Sequence, residues 1–133
     1  MDYERLQQRI TDYLKALHQL ERAARQPEDE FIRDSVIQRF EFTYELAWKM
    51  LKLRLEAEAI IAATPRQVLQ EALQAGFIQD GNAWSQLQSH RNLTSHTYDQ
   101  TLAQRVYHYI INQGLALFQQ LAEAAKTWQT NIQ

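Results

Sequence analysis

A short stretch near position 95 combines the residue types that phosphodiester cleavage requires. It reads Arg91, Asn92, Leu93, Thr94, Ser95, His96, Thr97 and Tyr98. Cleavage of RNA by its own 2'-hydroxyl needs a base on that hydroxyl, an acid on the leaving oxygen and positive charge beside the non-bridging phosphate oxygens. Histidine can transfer protons in either direction near neutral pH, and arginine is a permanent cation whose fork matches phosphate. The stretch therefore predicts phosphodiester chemistry by Arg91 and His96.

The geometry of this site depends on where the surrounding helix ends. In an unbroken helix, five residues would turn Arg91 and His96 about 140° apart, so they would not converge. Asn92 and His96, four residues apart, would share a face, so that the amide could orient the imidazole or hold the 2'-hydroxyl. Convergence of Arg91 on a phosphate near His96 needs either a helix end between them or a second copy of the chain.

A homodimer would suit this chemistry. One histidine per chain does not easily act as base and acid at once, whereas a twofold axis brings two histidines and two arginines into a shared groove. We therefore expect a twofold dimer in which both segments from Arg91 to His96 face one groove.

Each of these residues also has a purely structural interpretation. Arg91 could cap a helix end or pair with an acid, and Asn92 could be a helix cap. His96 could pack at a helix junction, and Tyr98 could fill the bundle interior with its hydroxyl reaching water. The remaining histidines suggest no metal site, because no HxxxH pair, cysteine or carboxylate cluster accompanies them. We expect neither a metal nor another cofactor.

Size and composition limit the class of protein. A chain of 133 residues fits one domain, spanning residues 1–133. Its net charge of -2 argues against a broad nucleic-acid surface, so any RNA contact should be local. The absence of cysteine fits a reducing compartment. A charged amino-terminal segment and the lack of a long apolar run predict a soluble, cytoplasmic protein.

The pattern of apolar residues predicts an all-α fold. The chain has only three glycines and two prolines and is rich in helix formers. Apolar residues at intervals of three and four predict a first helix over about residues 2–25. A second helix should begin at Pro27, followed by first-turn acids. Its broad apolar face makes it central, with an aromatic cluster that is expected to be core: Phe40, Phe42, Tyr44 and Trp48.

Capping signals locate the remaining helices. Thr64 and Gln67 form a predicted capping box, and Gly76 ends the short helix that begins there. The turn at Asp80 can cap a fourth helix. Either Thr97 or Asp99 can cap a last helix that extends to about residue 128. The prediction is an up-and-down bundle of three long and two short helices, with His96 and Tyr98 at a helix junction.

A resemblance to a known family covers nearly the whole chain and is carried most specifically by three segments. They are residues 39–49, residues 65–69, and Trp84 together with residues 91–99. In these segments the chain resembles the nucleotidyltransferase substrate-binding family of the HEPN superfamily (higher eukaryotes and prokaryotes nucleotide-binding). Members are similar to the HEPN half of two-gene toxin–antitoxin modules, whose other half is a minimal nucleotidyltransferase.

The resemblance implies specific roles. It assigns the R-x4-H ribonuclease motif to Arg91, Asn92 and His96, with RNA, and tRNA in particular, as the substrate. Tyr98, in the longer R-x4-H-x-Y pattern, would accept AMP from the partner nucleotidyltransferase, which silences the toxin of a type VII-like module. The chain departs from the family pattern at residues 58–61, where many relatives carry a glycine. This difference predicts a longer or stiffer second helix.

Two other functions fit the same sequence. A binding module would present a substrate to the nucleotidyltransferase and cleave nothing, which suits the acidic net charge. A helical assembly factor would leave residues 91–98 a coincidence. The arginine and histidine favour the ribonuclease, because an adaptor has no chemical need for that pair.

Overall fold

The structure, a computed structural model, describes residues 3–130 and is built there from helices joined by short turns. The helices are α1 (Tyr3–Ala24), α2 (Glu30–Ala57), α3 (Pro65–Gln74), α4 (Gly81–Leu93), α5 (Gln100–Tyr109) and α6 (Leu115–Thr127). A π-helical turn, Ile110–Gly114, joins α5 to α6 without a break, and a 3-10 turn, Thr94–His96, follows α4. Because α5, the π-helical turn and α6 form one continuous helix, the predicted all-α bundle of three long and two short helices is confirmed. The predicted start of the first helix at residue 2 lies outside the described residues.

No helix within residues 3–130 combines the length and the apolar character needed to cross a bilayer.

One phenylalanine lies at the centre of the core. The Phe118 ring on α6 meets Tyr13 of α1, Phe40 of α2 and Trp84 of α4, with ring centroids 6.4, 5.7 and 6.3 Å away. The Tyr13 hydroxyl donates to the Phe118 carbonyl at 2.7 Å, and burial raises the Tyr13 pKa well above its usual value. Since large buried aromatic side chains dominate core energetics, these contacts fix α4 against the three long helices.

The predicted caps form as local hydrogen bonds. The Thr64 hydroxyl accepts the Gln67 N–H at 3.2 Å, while the Gln67 side chain accepts the N–H of Ala63 rather than that of Thr64. Asp80 caps α4 through the Ala83 N–H. Of the two candidates before α5, Asp99 is the cap, since its carboxylate accepts two backbone N–H groups there.

Helix α2 departs from the prediction at its start and on one face. It begins at Glu30 rather than at Pro27, because the Asp29 carboxylate accepts the Ile32 N–H and so acts as the cap instead of belonging to the first turn. Phe40 and Tyr44 are buried as predicted, but Phe42 is 56% exposed. Its inclusion in the core was wrong, since this side chain points away from the bundle interior.

The end of α2 also differs from the expectation. The residues that replace a family glycine do not lengthen the helix, which ends at Ala57 with Glu58 as its cap. Ala59 instead adopts the left-handed conformation, with φ +61°. The turn that follows α2 is stabilised by the Ile60 N–H, which donates to the Leu55 carbonyl at 2.9 Å. An alanine can occupy this position, at a cost of about 1–2 kcal/mol that glycine avoids.

Replacing Ala59 by glycine is therefore expected to stabilise the protein by about 1 kcal/mol and to raise the melting temperature by a few degrees. Thermal unfolding followed by circular dichroism measures the change. Ala57→Gly is the matched control, because Ala57 lies in the last turn of α2 and its replacement should cost about 0.5–1 kcal/mol. Equal effects of the two substitutions would contradict the assigned strain.

Candidate active site

Arg91 lies in the last turn of α4 and reaches across to α2. Its guanidinium nitrogens lie 3.5 Å from a Glu45 carboxylate oxygen and 4.0 Å from one of Glu41. It also donates to the Thr94 hydroxyl at 3.1 Å, and its Cζ lies 5.9 Å from the Tyr44 ring centroid. The side chain is 27% exposed. The guanidinium is therefore held from three sides, and the side chain remains partly exposed.

The acids on α2 were not predicted as part of this site. Glu41 and Glu45 are four residues apart on one helix, where like charges destabilise each other unless a cation lies between them. Arg91 is that cation. Spacing alone predicts an ion pair between Glu45 and Lys49, but none forms in the described part of the chain. Glu45 instead binds Arg91 and accepts the Trp48 indole N–H at 3.1 Å. The alternative in which Arg91 pairs with an acid is thus observed.

A helix end lies between Arg91 and His96. This is one of the two arrangements that the sequence predicted for convergence of the two side chains on one phosphate. Helix α4 ends at Leu93 and the chain tightens into the 3-10 turn Thr94–His96. Three residues per turn in place of 3.6 take His96 off the face that Asn92 would share with it in a regular helix. Asn92 is exposed, and within residues 3–130 its side chain makes no hydrogen bond to His96.

His96 and Tyr98 lie together at the surface. Both side chains are exposed, Tyr98 to 83%, and their rings meet edge to face with centroids 6.2 Å apart. No hydrogen bond holds the His96 imidazole in the described part of the chain. The interpretations in which His96 is a packed junction residue and Tyr98 fills the interior therefore do not fit. The imidazole and the phenol are both free to meet a ligand.

A second histidine braces the end of α4. The His90 ring stacks on Tyr109 with centroids 3.7 Å apart and an interplanar angle of 5°, and its Nδ1 lies 2.7 Å from the Gln86 carbonyl oxygen. Burial raises the pKa of Tyr109 to about 12. The π-helical turn begins directly after Tyr109, and a side chain on Gly114 would come 3.0 Å from the Tyr109 ring. The sequence pattern did not reveal this turn.

The junction between α4 and α5 thus carries a held cation in the last turn of α4 and, one short turn further along the chain, an exposed imidazole and an exposed phenol. Among residues 3–130, no three histidine, aspartate or glutamate side chains come together as they would around a metal ion. A five-helix bundle carrying its polar cluster at this junction is the class of protein that the fold and the site define.

Comparison with known families agrees with this class. Residues 8–127 match the family described as nucleotidyltransferase substrate binding protein like, and the chain belongs to that family, as its sequence predicted. A curated relative from Haemophilus influenzae, named a probable ribonuclease HepT, is 47% identical over 76 residues. That match covers 53% of this chain and 52% of the relative, so the chain spans about half the length of the curated relative it matches.

Two proteins of known structure share the fold over most of their length. A protein from Thermus thermophilus is 30% identical and superposes with a TM-score of 0.78, over 86% of this chain and 98% of its own. A protein from Haemophilus influenzae, described as having the fold of a substrate binding domain of a nucleotidyltransferase, is 31% identical with a TM-score of 0.67. This second match covers 94% of this chain and 99% of that protein.

Proposed function

We propose that the protein is a metal-independent ribonuclease whose activity is controlled by a partner nucleotidyltransferase. The observation that carries the proposal is the exposed His96, which has no hydrogen bond from residues 3–130 and lies one short turn beyond a cation held in place by two carboxylates. An exposed imidazole whose nitrogens are not taken up by hydrogen bonds can exchange protons with a bound substrate. The name of the curated relative, a probable ribonuclease, supports the same chemistry.

The proposed reaction uses the 2'-hydroxyl of the RNA as the nucleophile. A base removes the 2'-proton, the 2'-oxygen bonds to the adjacent phosphorus, and the bond from phosphorus to the 5'-oxygen breaks as an acid protonates that oxygen. The products are a 2',3'-cyclic phosphate and a 5'-hydroxyl. His96 transfers protons, the exposed part of the Arg91 side chain balances charge on the phosphate oxygens, and Asn92 orients the attacking hydroxyl.

A homodimer would supply the second proton-transfer group. His96 is the sole imidazole of the motif in each chain, and base and acid act on opposite sides of the reacting phosphorus. We therefore propose that two chains bring their His96 residues to one groove. The exposed Phe31 and Phe42 lie eleven residues apart on α2, which places them on the same face, and they provide apolar surface that a second chain would cover.

Two descriptions support a nucleotidyltransferase as the partner. The description of the family and that of the Haemophilus influenzae structure both refer to a nucleotidyltransferase. We propose a two-gene module in which this chain is the toxin, RNA is its substrate, with tRNA the first to test, and the nucleotidyltransferase silences it by transferring AMP to Tyr98. A non-catalytic adaptor that presents a substrate to the nucleotidyltransferase is the second candidate, favoured by the description of the family.

Expression of the chain alone and together with the neighbouring nucleotidyltransferase tests the proposal. The chain alone is expected to arrest growth, and the active partner is expected to relieve the arrest. RNA from arrested cells should carry new ends with cyclic phosphates. An adaptor would cause no arrest and produce no such ends, so normal growth with the chain expressed at a detectable level would remove the ribonuclease proposal.

A further inference from the structure

A basic groove lies along the seam between α1 and α2. It has a volume of about 200 Å³ and is lined by Arg5, Arg9, Trp48, Lys49, Lys52, Leu53 and Glu56. Four cations thus face one carboxylate, in a chain whose net charge is -2. The positive potential of this groove is therefore local and runs against the charge of the protein as a whole.

Three cations of the groove, Arg9, Lys49 and Lys52, are available to a ligand. Within residues 3–130, no ion pair shorter than 4.0 Å involves Arg9, Lys49 or Lys52. Lys49 would ordinarily pair with Glu45 one turn earlier on α2. Because Glu45 is committed to Arg91 and to the Trp48 indole, Lys49 is left to face the groove.

The groove is connected to the candidate active site through one side chain. One carboxylate oxygen of Glu45 lies 3.5 Å from the Arg91 guanidinium, and the other accepts the Trp48 indole N–H at 3.1 Å. Trp48 itself is half-buried and lines the groove. A single carboxylate therefore separates the motif arginine from the aromatic end of the basic groove.

We infer that this groove binds the phosphate backbone of the single-stranded RNA that flanks the cut site. Cations that follow a groove, with an aromatic side chain on which a base can stack, are the features by which proteins hold single strands without reading sequence. The inference rests on the proposed ribonuclease function, because it extends the same site. It also explains how an acidic protein retains RNA, since the contact is confined to one strip of surface.

Neutralising the groove is expected to weaken RNA binding. The variant replaces Arg9, Lys49 and Lys52 by glutamine, and the probe is a fluorescent 2'-O-methyl oligonucleotide, which lacks the attacking hydroxyl and stays intact. We expect Kd to rise by about tenfold or more, and the slope of log Kd against log salt to fall by about 2, because single strands lose about 0.7 per phosphate contact. RNA binding should also change the tryptophan fluorescence of the wild-type protein, and this change should be absent in Trp48→Phe.

The control carries the same charge change elsewhere. Lys15, Arg22 and Arg25 lie on or just after α1, outside the groove lining, and their replacement by glutamine removes three cations. If the groove variant bound RNA as tightly as this control, the inference would be overturned, while the ribonuclease proposal would still stand. Loss of nucleotidyltransferase binding with RNA binding intact would also overturn it, since the groove would then serve a protein. Conversely, groove-dependent binding by a protein that cuts no RNA would refute the ribonuclease proposal alone.

Discussion

Replacing His96 by alanine is expected to lower RNA cleavage by at least about 100-fold, because proton transfer by a positioned side chain contributes about 10²- to 10⁴-fold. His96 is exposed at the end of a 3-10 turn, so its truncation leaves no cavity and the fold should persist. Cleavage in buffer that contains a chelator, with the melting temperature measured beside it, checks both statements. His18→Ala, which removes an exposed histidine from α1, should cleave normally. Cleavage by His96→Ala at the wild-type rate would show that the assigned mechanism is wrong.

Mixed dimers test whether the two histidines share one site. Wild-type and His96→Ala chains, randomly exchanged at equal amounts, form wild-type, mixed and mutant dimers in a ratio of about 1:2:1. If each reaction needs both His96 side chains, only the fully wild-type dimer cleaves, and activity falls to about a quarter of its value per total chain. Independent sites would retain about half. A single-chain mass by light scattering at working concentration would exclude the shared site directly.

Local signals in the sequence predicted most of what positions the site. Asp80 and Asp99 set the start of α4 and of α5 through bonds to N–H groups two or three residues away, so neighbouring residues contain the information. Neighbouring residues also predict the helix junction that exposes His96 and Tyr98. The last helix was predicted from its cap, although it contains a π-helical turn that no spacing revealed.

The ion-pair partners of Arg91 could not be predicted from neighbouring residues. Its partners lie 46 and 50 residues earlier on a different helix, and their meeting depends on how α4 packs against α2. A signal was present, however. Two glutamates four residues apart repel each other, so Glu41 and Glu45 called for a cation from elsewhere in the fold. Phe42 was assigned to the core because periodicity measures apolar character and cannot tell a buried face from one that awaits a partner.

Transfer of AMP to Tyr98 is expected to silence the protein. The Tyr98 oxygen would attack the α-phosphorus of ATP, pyrophosphate would leave, and the phenolic proton would pass to a base on the nucleotidyltransferase. Tyr98 is suited to this reaction because it is 83% exposed. Its ring centroid lies 6.2 Å from that of His96, so the new group would be attached beside the proposed proton-transfer residue.

The attached AMP would act in two ways. Its adenosine would occupy space in front of His96, and its phosphodiester would add a negative charge at the position where the RNA backbone must lie. Like charges at close range repel, and this repulsion is strongest at low salt. Arg91 is the cation proposed to bind the RNA phosphate, so an AMP phosphate that paired with its exposed part would leave it occupied.

Tyr98→Phe is therefore expected to retain RNA cleavage and to resist silencing, because it keeps the ring and removes the oxygen that accepts AMP. Wild-type protein incubated with the partner, ATP and Mg²⁺ should gain AMP on Tyr98 and lose activity by at least about tenfold, as the entry of RNA is blocked. Intact-mass and peptide mass spectrometry locate the modification. Tyr3→Phe, which alters another exposed tyrosine at 61% exposure, should be modified and silenced like the wild type. Absence of AMP on Tyr98, or a modified protein that still cuts RNA, would refute this mechanism of control.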